Sequence, residues 1–513
     1  MLSQVLSGAV QGVDAYLVRV EVDLAKGLPC MTVVGLAESA VREGRERVTA
    51  ALANANLKLP SRRITINLAP ADVHKAGSAF DLPLALGLLA AAGLVPQHAL
   101  DGVCAIGELG LDGEVRAVRG ALSIADRCVR ERVHSMIVPV VNAAEAAAVD
   151  GMTVHAATTL LDVVAHLRGI RPLDLAMAGL ESERENAGRG ALDFEDVKGQ
   201  LSARRALEVA AAGQHNIMMV GPPGSGKSML ARRLPGILPP LSRAESIEVT
   251  KVYSVAGRLR PRQSLVLDRP FRAPHHTISD AAMVGGGALA RPGEVTLAHR
   301  GVLFLDELPE FRRNVLEALR QPLEDEIVVV GRARGVMTYP ASFMLVAAMN
   351  PCPCGYYGSG ITQCICSPLQ VQRYVARVSG PLLDRIDLHV AVPPLSGPEL
   401  ASRTNGESTR LMAARVLEAR DRQVHRYRSA AGVYANAHIS PREVRRYCRV
   451  DPAGETCLQQ SVRVLGLSAR AYHRVLRLAL TLADLEGCDG IRRSHVAEAL
   501  LYRTLDRTRA EVV

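Results

Sequence analysis

The residues that suggest chemistry most directly form a glycine-rich segment after a short apolar run. The run Asn216-Ile-Met-Met-Val220 leads into Gly221-Pro-Pro-Gly-Ser-Gly-Lys227-Ser228. A strand that turns through glycines into a helix presents successive backbone N–H groups to phosphate oxygens, and the lysine and serine suit phosphate charge and Mg²⁺. We therefore expect a phosphate loop made of the following residues: Gly221, Pro222, Pro223, Gly224, Ser225, Gly226, Lys227 and Ser228.

A pair of acids at the end of a second apolar run completes this chemistry. The sequence Val302-Leu-Phe-Leu-Asp306-Glu307 predicts a strand that delivers both carboxylates to one edge of a sheet. We expect Asp306 to hold Mg²⁺ with Ser228, and Glu307 to polarise the attacking water, because a metal-bound acid cannot also act as a base. The two motifs together predict a site that binds and hydrolyses a nucleoside triphosphate.

The composition is that of a multidomain globular protein. The 513 residues are 48% hydrophobic and 22% charged, and no apolar run is long enough to cross a membrane. The first residues lack the basic and apolar regions of a secretion signal, so we expect a cytoplasmic protein without a membrane partner. The net charge of +9 is compatible with a polyanionic partner such as nucleic acid. Ten cysteines in such a chain indicate reduced thiols or a metal site.

Alternating strand and helix patterns predict an α/β domain over residues 1–171. Its strands are expected near residues 15–22, 31–34, 64–68 and 136–140, and its helices over 37–55, 81–92 and 119–132. The polar, small-residue stretch 172–191 is interpreted as a linker.

A second α/β domain, over residues 192–395, carries the nucleotide motifs. Residues 396–513 follow an almost wholly helical pattern. Helix starts are predicted at Ser440, Asp451, Ser468 and Ser494, and helix ends at Gly466 and Gly490.

Several longer strings carry a resemblance to a known family. They are Asp196-Val-Lys-Gly-Gln200, Arg269-Pro-Phe-Arg-Ala-Pro-His275-His276-Thr-Ile-Ser279, Met349-Asn350-Pro-Cys-Pro-Cys-Gly355 and Ser379-Gly-Pro-Leu-Leu-Asp-Arg385-Ile-Asp387. With the two motifs above, they resemble the ComM group of magnesium-chelatase-like AAA+ ATPases over essentially the whole chain. The resemblance implies a Lon-protease-like N-terminal domain, an AAA+ P-loop core and a helical C-terminal lid domain. It also implies ATP and Mg²⁺ as cofactors.

The same resemblance implies a homo-oligomeric ring, expected to be a hexamer, that acts on single-stranded or branched DNA. Members of the group drive DNA branch migration, a helicase activity used in homologous recombination and natural transformation. We carry this role over as an expectation for this chain.

Three further residues acquire roles by this resemblance. Asn350 matches a sensor that orients the water, Arg385 matches an arginine finger that reaches a neighbouring subunit's nucleotide, and Arg470 matches a second sensor. Each has a simpler alternative: Asn350 capping a turn, Arg385 in a surface ion pair with Asp384 or Asp387, and Arg470 as a solvated helix residue.

Two segments are candidates for DNA contact. Residues 271–300, with the tract Gly285-Gly-Gly287, fit a loop directed into the ring pore. Residues 327–339 predict a β-hairpin whose tip carries Arg332 and Arg334, which can hold phosphates without reading sequence or can simply be solvated. His275 and His276 are expected to pack or to line the pore. Their nearest carboxylate in sequence, Asp280, makes a poor metal set.

A group of four cysteines suggests a metal site. Cys352, Cys354, Cys364 and Cys366 lie within fifteen positions, and four thiolates can complete a tetrahedral Zn²⁺ site. The C-x-C spacing is tighter than the usual C-x-x-C, and reduced thiols packing a loop are the alternative.

The Lon-like resemblance does not extend to peptidase chemistry. Alignment places Ala79, or at best Ser78, at the nucleophile position and Leu122 at the position of the catalytic lysine. Leucine cannot accept the hydroxyl proton, so we expect no peptidase activity. A chelatase-like motor that remodels a protein partner remains the main alternative to a DNA motor, because the nucleotide motifs suit both. A purely regulatory ATPase is disfavoured by Glu307 and Asn350.

Overall fold

The chain forms two compact units, and neither is a single stretch of sequence. The first consists of Met1–Ala187, Ser242–Leu267 and Gly331–Tyr339, and the second of Gly188–Leu241, Asp268–Val330 and Pro340–Val513. The computed structural model describes residues 2–35, 39–71, 75, 77–179, 192–287, 291–332, 335–360, 362–397, 399, 406–430 and 432–503.

The first unit is built on a mixed eight-stranded sheet in the order β10-β9-β8-β5-β1-β2-β4-β3. Alternation along β2 and β4 buries Val18, Val20 and Ile66 on one face, as a half-covered sheet requires. The strands are β1 (Leu2–Gln11), β2 (Asp14–Ala25), β3 (Cys30–Val34), β4 (Arg63–Ala69), β5 (Val103–Ala105), β8 (Ser135–Pro139), β9 (Thr153–Ala157) and β10 (Asp174–Leu175). A separate two-stranded sheet pairs β6 (Glu108–Leu109) with β7 (Val115–Arg116).

The strands and helices predicted for this region are confirmed within the described residues, with ends shifted by up to three residues. Strand β1 was not predicted, because Ser3, Ser7 and Gly8 interrupt its apolar pattern although all three are buried. Of the predicted linker, Asp174–Leu175 form β10, and residues 180–191 lie outside the described residues. The helices are Ser39–Asn54, Asp81–Ala91, Ala121–Arg130, Ala143–Ala147 and Leu160–Leu167.

A helix from the middle of the chain, Arg243–Ala256, completes the first unit. It begins with a capping box at Ser242 and ends at Gly257 in the left-handed conformation. Its Lys251 Nζ donates to Asp126 at 2.7 Å, and the Ser254 hydroxyl donates to the buried Glu145 carboxylate. Burial raises the pKa of Glu145, although the hydrogen bond from Ser254 opposes the rise. This helix is therefore held by the first unit's own polar groups.

The second unit contains a five-stranded parallel sheet in the order β12-β15-β18-β11-β19. Its central strands are apolar runs buried on both faces, which is typical of parallel sheets covered by helices. This is the arrangement of a P-loop ATPase core. The strands are β11 (Ile217–Val220), β12 (Phe271–Arg272), β15 (Val302–Leu305), β18 (Met344–Met349) and β19 (Leu388–Ala391).

Short helices and two small sheets connect these strands. Between β12 and β15, a two-stranded sheet pairs β13 (Gly285–Gly286) with β14 (Arg291–Pro292), and residues 288–290 lie outside the described residues. β16 (Ile327–Arg332) and β17 (Gly335–Pro340) form the predicted hairpin, of which Gly331–Tyr339 are counted with the first unit. Arg332 ends β16, whereas Arg334 lies outside the described residues. The helices are Leu201–Gly213, Lys227–Arg233, Asp280–Val284, Glu294–Leu297, Arg313–Ala318, Pro322–Asp325, Pro368–Val375 and Gly380–Leu383.

The C-terminal part of the second unit is helical and shares a hydrophobic core with the sheet. Starts at Ser440, Asp451 and Ser468 are confirmed, because each side chain accepts a backbone N–H of the first turn. The last helix starts at Arg493 rather than after Ser494, and the preceding one ends at Leu485, before Gly490. The helices are Thr409–Arg426, Pro441–Tyr447, Pro452–Leu465, Ala469–Leu485 and Arg493–Leu501. None of the helices in the described ranges is long and apolar enough to cross a membrane.

Candidate nucleotide site

The glycine-rich loop joins the carboxyl end of β11 to the helix Lys227–Arg233. Gly224 and Gly226 have φ values of 75° and 92°, in the region that favours glycine. A Cβ at Gly221 would lie 2.1 Å from the Val392 carbonyl oxygen, so only glycine fits there. The loop therefore has the backbone path that a phosphate-binding turn before a helix needs.

Lys227 lies within the loop with its amine pointing back along it. Its Nζ donates to the carbonyls of Gly221 at 2.7 Å and Pro222 at 2.8 Å, and to Asn350 Oδ1 at 3.2 Å. Burial lowers the pKa of Lys227, while the nearby Asp306 and Glu307 carboxylates oppose the change. The amine is thus positioned at the loop's mouth with two carboxylates close enough to favour its charge.

Asp306 and Glu307 follow β15, as predicted. The Ser228 hydroxyl donates to Asp306 Oδ2 at 2.6 Å, which brings the two predicted Mg²⁺ ligands together. Asp306 Oδ1 accepts the Glu307 backbone N–H at 3.0 Å, and Glu307 itself has a left-handed φ of 52°. A hydroxyl and a carboxylate oxygen at hydrogen-bond distance are a donor set that suits Mg²⁺. Asp306 thus accepts from Ser228, whereas Glu307 lies in a left-handed turn beside it.

His276 contacts the Glu307 carboxylate, which the sequence did not indicate. Its Nδ1 lies 3.4 Å from Glu307 Oε2, and its ring packs edge-on against Phe311. His276 follows β12, which pairs with β15, so the sheet brings the two residues together. Glu307 remains 53% exposed, enough to reach a water molecule.

Asn350 lies directly after β18, between the phosphate loop and the acids. β18 pairs with β11 on one side and with β15 on the other, so the carboxyl ends of all three strands meet at one edge. The structure therefore brings together the predicted loop, Asp306, Glu307 and Asn350. This edge is where ligands bind in parallel α/β sheets.

Gln200 also supports the loop, although sequence reasoning gave it no role. Its Nε2 donates to the carbonyls of Ser225 at 3.2 Å and Pro393 at 2.6 Å. Gln200 is buried and has a left-handed φ of 53°. A buried amide in that conformation indicates a fixed structural role. The signal in the sequence was its place in the string Asp196-Val-Lys-Gly-Gln200.

Arg385 and Arg470 do not lie beside the phosphate loop. The Asn216 side chain donates to the Arg385 carbonyl at 2.9 Å, so Arg385 lies at the amino end of β11, opposite the phosphate loop. Its guanidinium pairs with Glu324, and neither Asp384 nor Asp387 is its partner. Arg385 and Arg470 line one cleft of about 520 Å³ that contains no residue of the phosphate loop.

This cleft is strongly charged. The Arg385 hydrogen bond, with a smaller contribution from Arg470, lowers the pKa of Glu324. Burial alone would raise the pKa of Asp387, but His215 and Arg474 outweigh it and lower that pKa well below its usual range. The cleft thus presents clustered arginines against carboxylates that stay ionised, a surface that suits a phosphate-bearing partner.

The four clustered cysteines converge at one point. The Cys352 Sγ lies 3.3 Å from Cys354 Sγ and 3.7 Å from Cys364 Sγ, and Cys354 and Cys364 are 3.5 Å apart. All four sulfurs lie within 4.8 Å of one another, and all ten cysteines of the chain are free. Four sulfurs about 2.3 Å from a tetrahedral metal would be roughly 3.8 Å apart, so the set fits a metal ion. Backbone N–H groups of Tyr356 and Ile365 lower the pKa of Cys354 to about 6.

A second group, Glu486, Cys488 and His495, does not fit a metal as well. The His495 Nδ1 accepts the Arg492 backbone N–H at 3.0 Å, so the neutral ring carries its proton on Nε2. That Nε2 lies 2.9 Å from Glu486 Oε2, which accepts its hydrogen bond. A metal at Nε2 would require the proton to move to the already bonded Nδ1. The position of His495 is therefore explained by its role in capping the last helix.

Three family models match separate stretches of the chain. The family described as magnesium chelatase, subunit ChlI, matches residues 193–400, subunit ChlI of Mg-chelatase matches 20–142, and its C-terminal family matches 406–503. The competence protein ComM of Haemophilus influenzae is 45% identical over 99% of this chain and 98% of its own length.

The chain belongs to the ComM family of magnesium-chelatase-like proteins. Another member, the YifB protein of Escherichia coli, is 43% identical over 99% of this chain and 98% of its own. The magnesium-chelatase 38 kDa subunit of Cereibacter sphaeroides is 25% identical over 31% of this chain and 52% of its own. Membership of this AAA+ family implies ATPase activity with ATP and Mg²⁺. The phosphate loop, Asp306 and Ser228 provide groups that fit both cofactors.

Proposed function

We propose that this protein is an ATP-driven DNA translocase, active as a homo-oligomeric ring that we expect to be a hexamer. It would promote branch migration of DNA during homologous recombination and natural transformation. The proposal places it in the cytoplasm, with single-stranded or branched DNA as its partner. The proposal that the protein is a ring-shaped motor is supported mainly by one observation: the phosphate loop and Arg385 lie at opposite edges of one sheet.

The hydrolysis step uses groups at the carboxyl edge of the sheet. Backbone N–H groups of the loop and the Lys227 amine bind the phosphates, and Ser228 and Asp306 would hold Mg²⁺. Mg²⁺ neutralises charge on the phosphates when it is bound. The Glu307 carboxylate accepts a proton from the attacking water, which Asn350 helps to orient. His276 positions Glu307 through the contact at 3.4 Å.

The arginines at the other edge would act on a neighbouring copy. Strand β11 has four residues and separates its two ends by roughly 13 Å, well beyond hydrogen-bond reach. Arg385 and Arg470 therefore cannot stabilise the phosphate bound by their own loop. In a head-to-tail ring, each cleft would face the next subunit's nucleotide and complete its active site.

The DNA part rests on the family and on charge. A relative named a competence protein matches almost the whole chain, which supports a role in competence. The net charge of +9 favours a polyanion, and Arg332 with Arg334 is proposed to contact the phosphate backbone. The N-terminal domain, which we propose to be Lon-like, would serve assembly or partner binding.

We also infer that the cysteine cluster holds Zn²⁺. Four convergent sulfurs and no oxygen ligand suit a soft or borderline metal, and the tetrahedral spacing suits zinc.

A chelatase-like motor that remodels a protein partner is the second candidate. The similarity to the magnesium-chelatase 38 kDa subunit, which covers 31% of this chain, favours it. Its nucleotide chemistry would be the same. The two candidates differ in what stimulates hydrolysis.

The deciding experiment measures ATPase rate with and without forked or four-way-junction DNA. We expect stimulation by DNA, and its loss in Lys227→Ala and Glu307→Gln. Strand exchange on a labelled junction should fail in the same variants. Hydrolysis that responds to no DNA structure would reject the translocase and favour the protein-remodelling motor.

A further inference from the structure

The segment that carries the four cysteines is attached to the nucleotide site at both ends. It starts after Asn350, whose Oδ1 accepts from Lys227. It ends at the helix Pro368–Val375, whose Tyr374 hydroxyl accepts the backbone N–H of Asn350. Burial raises the pKa of Tyr374 to about 12, so the hydroxyl stays neutral. A movement of either end of the segment would therefore displace Asn350, which contacts Lys227.

The segment also touches the phosphate loop at its middle. Gly355 has a φ of 88°, and a Cβ placed on it would lie 2.5 Å from Pro223 Cδ. Its backbone N–H donates to the Cys352 carbonyl at 3.0 Å, which closes the turn between the first two cysteines. Cys352 itself is fully buried. The turn that presents two of the four sulfurs thus packs directly on the loop.

We propose that Zn²⁺ bound by Cys352, Cys354, Cys364 and Cys366 fixes the positions of Asn350 and the phosphate loop, so that metal occupancy sets the rate of ATP hydrolysis. The inference rests on the proposed ATPase function and zinc site. The metal closes a loop whose two ends and centre all contact catalytic groups. Without it, the contacts described between the four cysteine side chains are weak sulfur hydrogen bonds.

The size of the effect follows from the geometry. A reacting group displaced by about 1 Å can cost up to ~100-fold in rate. Asn350 and Pro223 are displaced together when the segment relaxes, so we expect a loss of roughly 10- to 100-fold in kcat and weaker ATP binding.

The test compares zinc-loaded and zinc-stripped full-length protein. Metal content, the ligand-field spectrum after Co²⁺ substitution, affinity for a fluorescent ATP analogue and ATPase rate are measured on the same preparations, with Mg²⁺ restored after chelation. We expect equimolar zinc, a tetrahedral cobalt–thiolate spectrum, loss of turnover on stripping and recovery with Zn²⁺. Cys488→Ser, outside the cluster, is the matched control and should behave as the natural protein.

A second variant keeps the four sulfurs and changes the turn that packs on Pro223. Gly355→Ala places a methyl against Pro223 and should retain zinc while lowering ATP affinity and kcat about tenfold. Failure to bind Zn²⁺ or Co²⁺ would overturn the site, and unchanged nucleotide affinity and turnover after zinc loss would overturn the coupling. Failure of the proposed function gives a different pattern: zinc-loaded protein that hydrolyses no ATP, while metal content and nucleotide affinity still report on the coupling.

Discussion

The position of Arg385 makes a quantitative prediction about mixed oligomers. Two variants are compared: Glu307→Gln, which keeps Arg385 but lacks the base, and Arg385→Ala, which keeps the base but lacks the arginine. Both retain the phosphate loop, so both should bind ATP. Alone, Arg385→Ala should lose about 10³- to 10⁵-fold in kcat, the range known for arginines that stabilise phosphoryl transfer.

Mixing the two inactive variants should restore activity if Arg385 acts on a neighbour. In a closed ring of randomly mixed subunits at equal amounts, about one interface in four joins an intact Glu307 to an intact Arg385. We therefore expect about a quarter of the natural turnover per subunit. The rate is measured by phosphate release over a series of mixing ratios, and should peak near equal amounts.

The control is Arg422→Ala, an exposed arginine 3.9 Å from Asp489, whose loss should change little. Native mass spectrometry establishes that the mixed subunits share one oligomer. A mixture that forms joint oligomers yet hydrolyses no faster than its separate components would refute the assignment of Arg385 to a neighbouring site.

Three further changes have defined outcomes. His276→Ala removes the contact to Glu307 at 3.4 Å and should lower kcat about tenfold without raising the KM for ATP, measured by initial rates; a rise in KM alone would contradict this. Gln200→Ala leaves the Ser225 carbonyl without its donor and should raise that KM about tenfold in the same assay; an unchanged KM would argue against support of the loop. The pKa of Asp387 is lowered by folding despite burial, so its stabilisation is present above the unfolded pKa of about 3.9 and is lost at lower pH. Asp387→Asn should cost about 3 kcal/mol in urea unfolding near pH 7 and progressively less as the pH falls below about 3.9, and a cost that does not decline there would contradict the linkage.

The sequence predicted those parts of the site that are determined by residues adjacent in the chain. The phosphate loop and the pair Asp306–Glu307 were predicted because a glycine turn and a strand end are set by a few consecutive residues. Helix starts at Ser440 and Ser468 were predicted for the same reason, since a cap bonds only to the next turn.

Contacts between distant segments could not be predicted in this way. The carboxylate nearest to His276 in sequence is Asp280, whereas its partner in the structure is Glu307, which the pairing of β12 with β15 brings close. Likewise, the carboxylates next to Arg385 in sequence are Asp384 and Asp387, but Arg385 pairs with Glu324 from the helix Pro322–Asp325. Strand pairing and sheet order decide such contacts, and a single sequence carries little information about either.

The helix Arg243–Ala256 has a consequence for anyone who wishes to divide this protein. It follows the phosphate loop in sequence, yet its Lys251 and Ser254 bond to Asp126 and Glu145 of the first unit. Cutting the chain between residues 180 and 191 would separate the helix from these partners and expose the surface it covers. Neither fragment would inherit a complete unit, so loss of activity in a truncated protein would report damage to both halves. The function of each unit should therefore be determined with point substitutions and not with deletions.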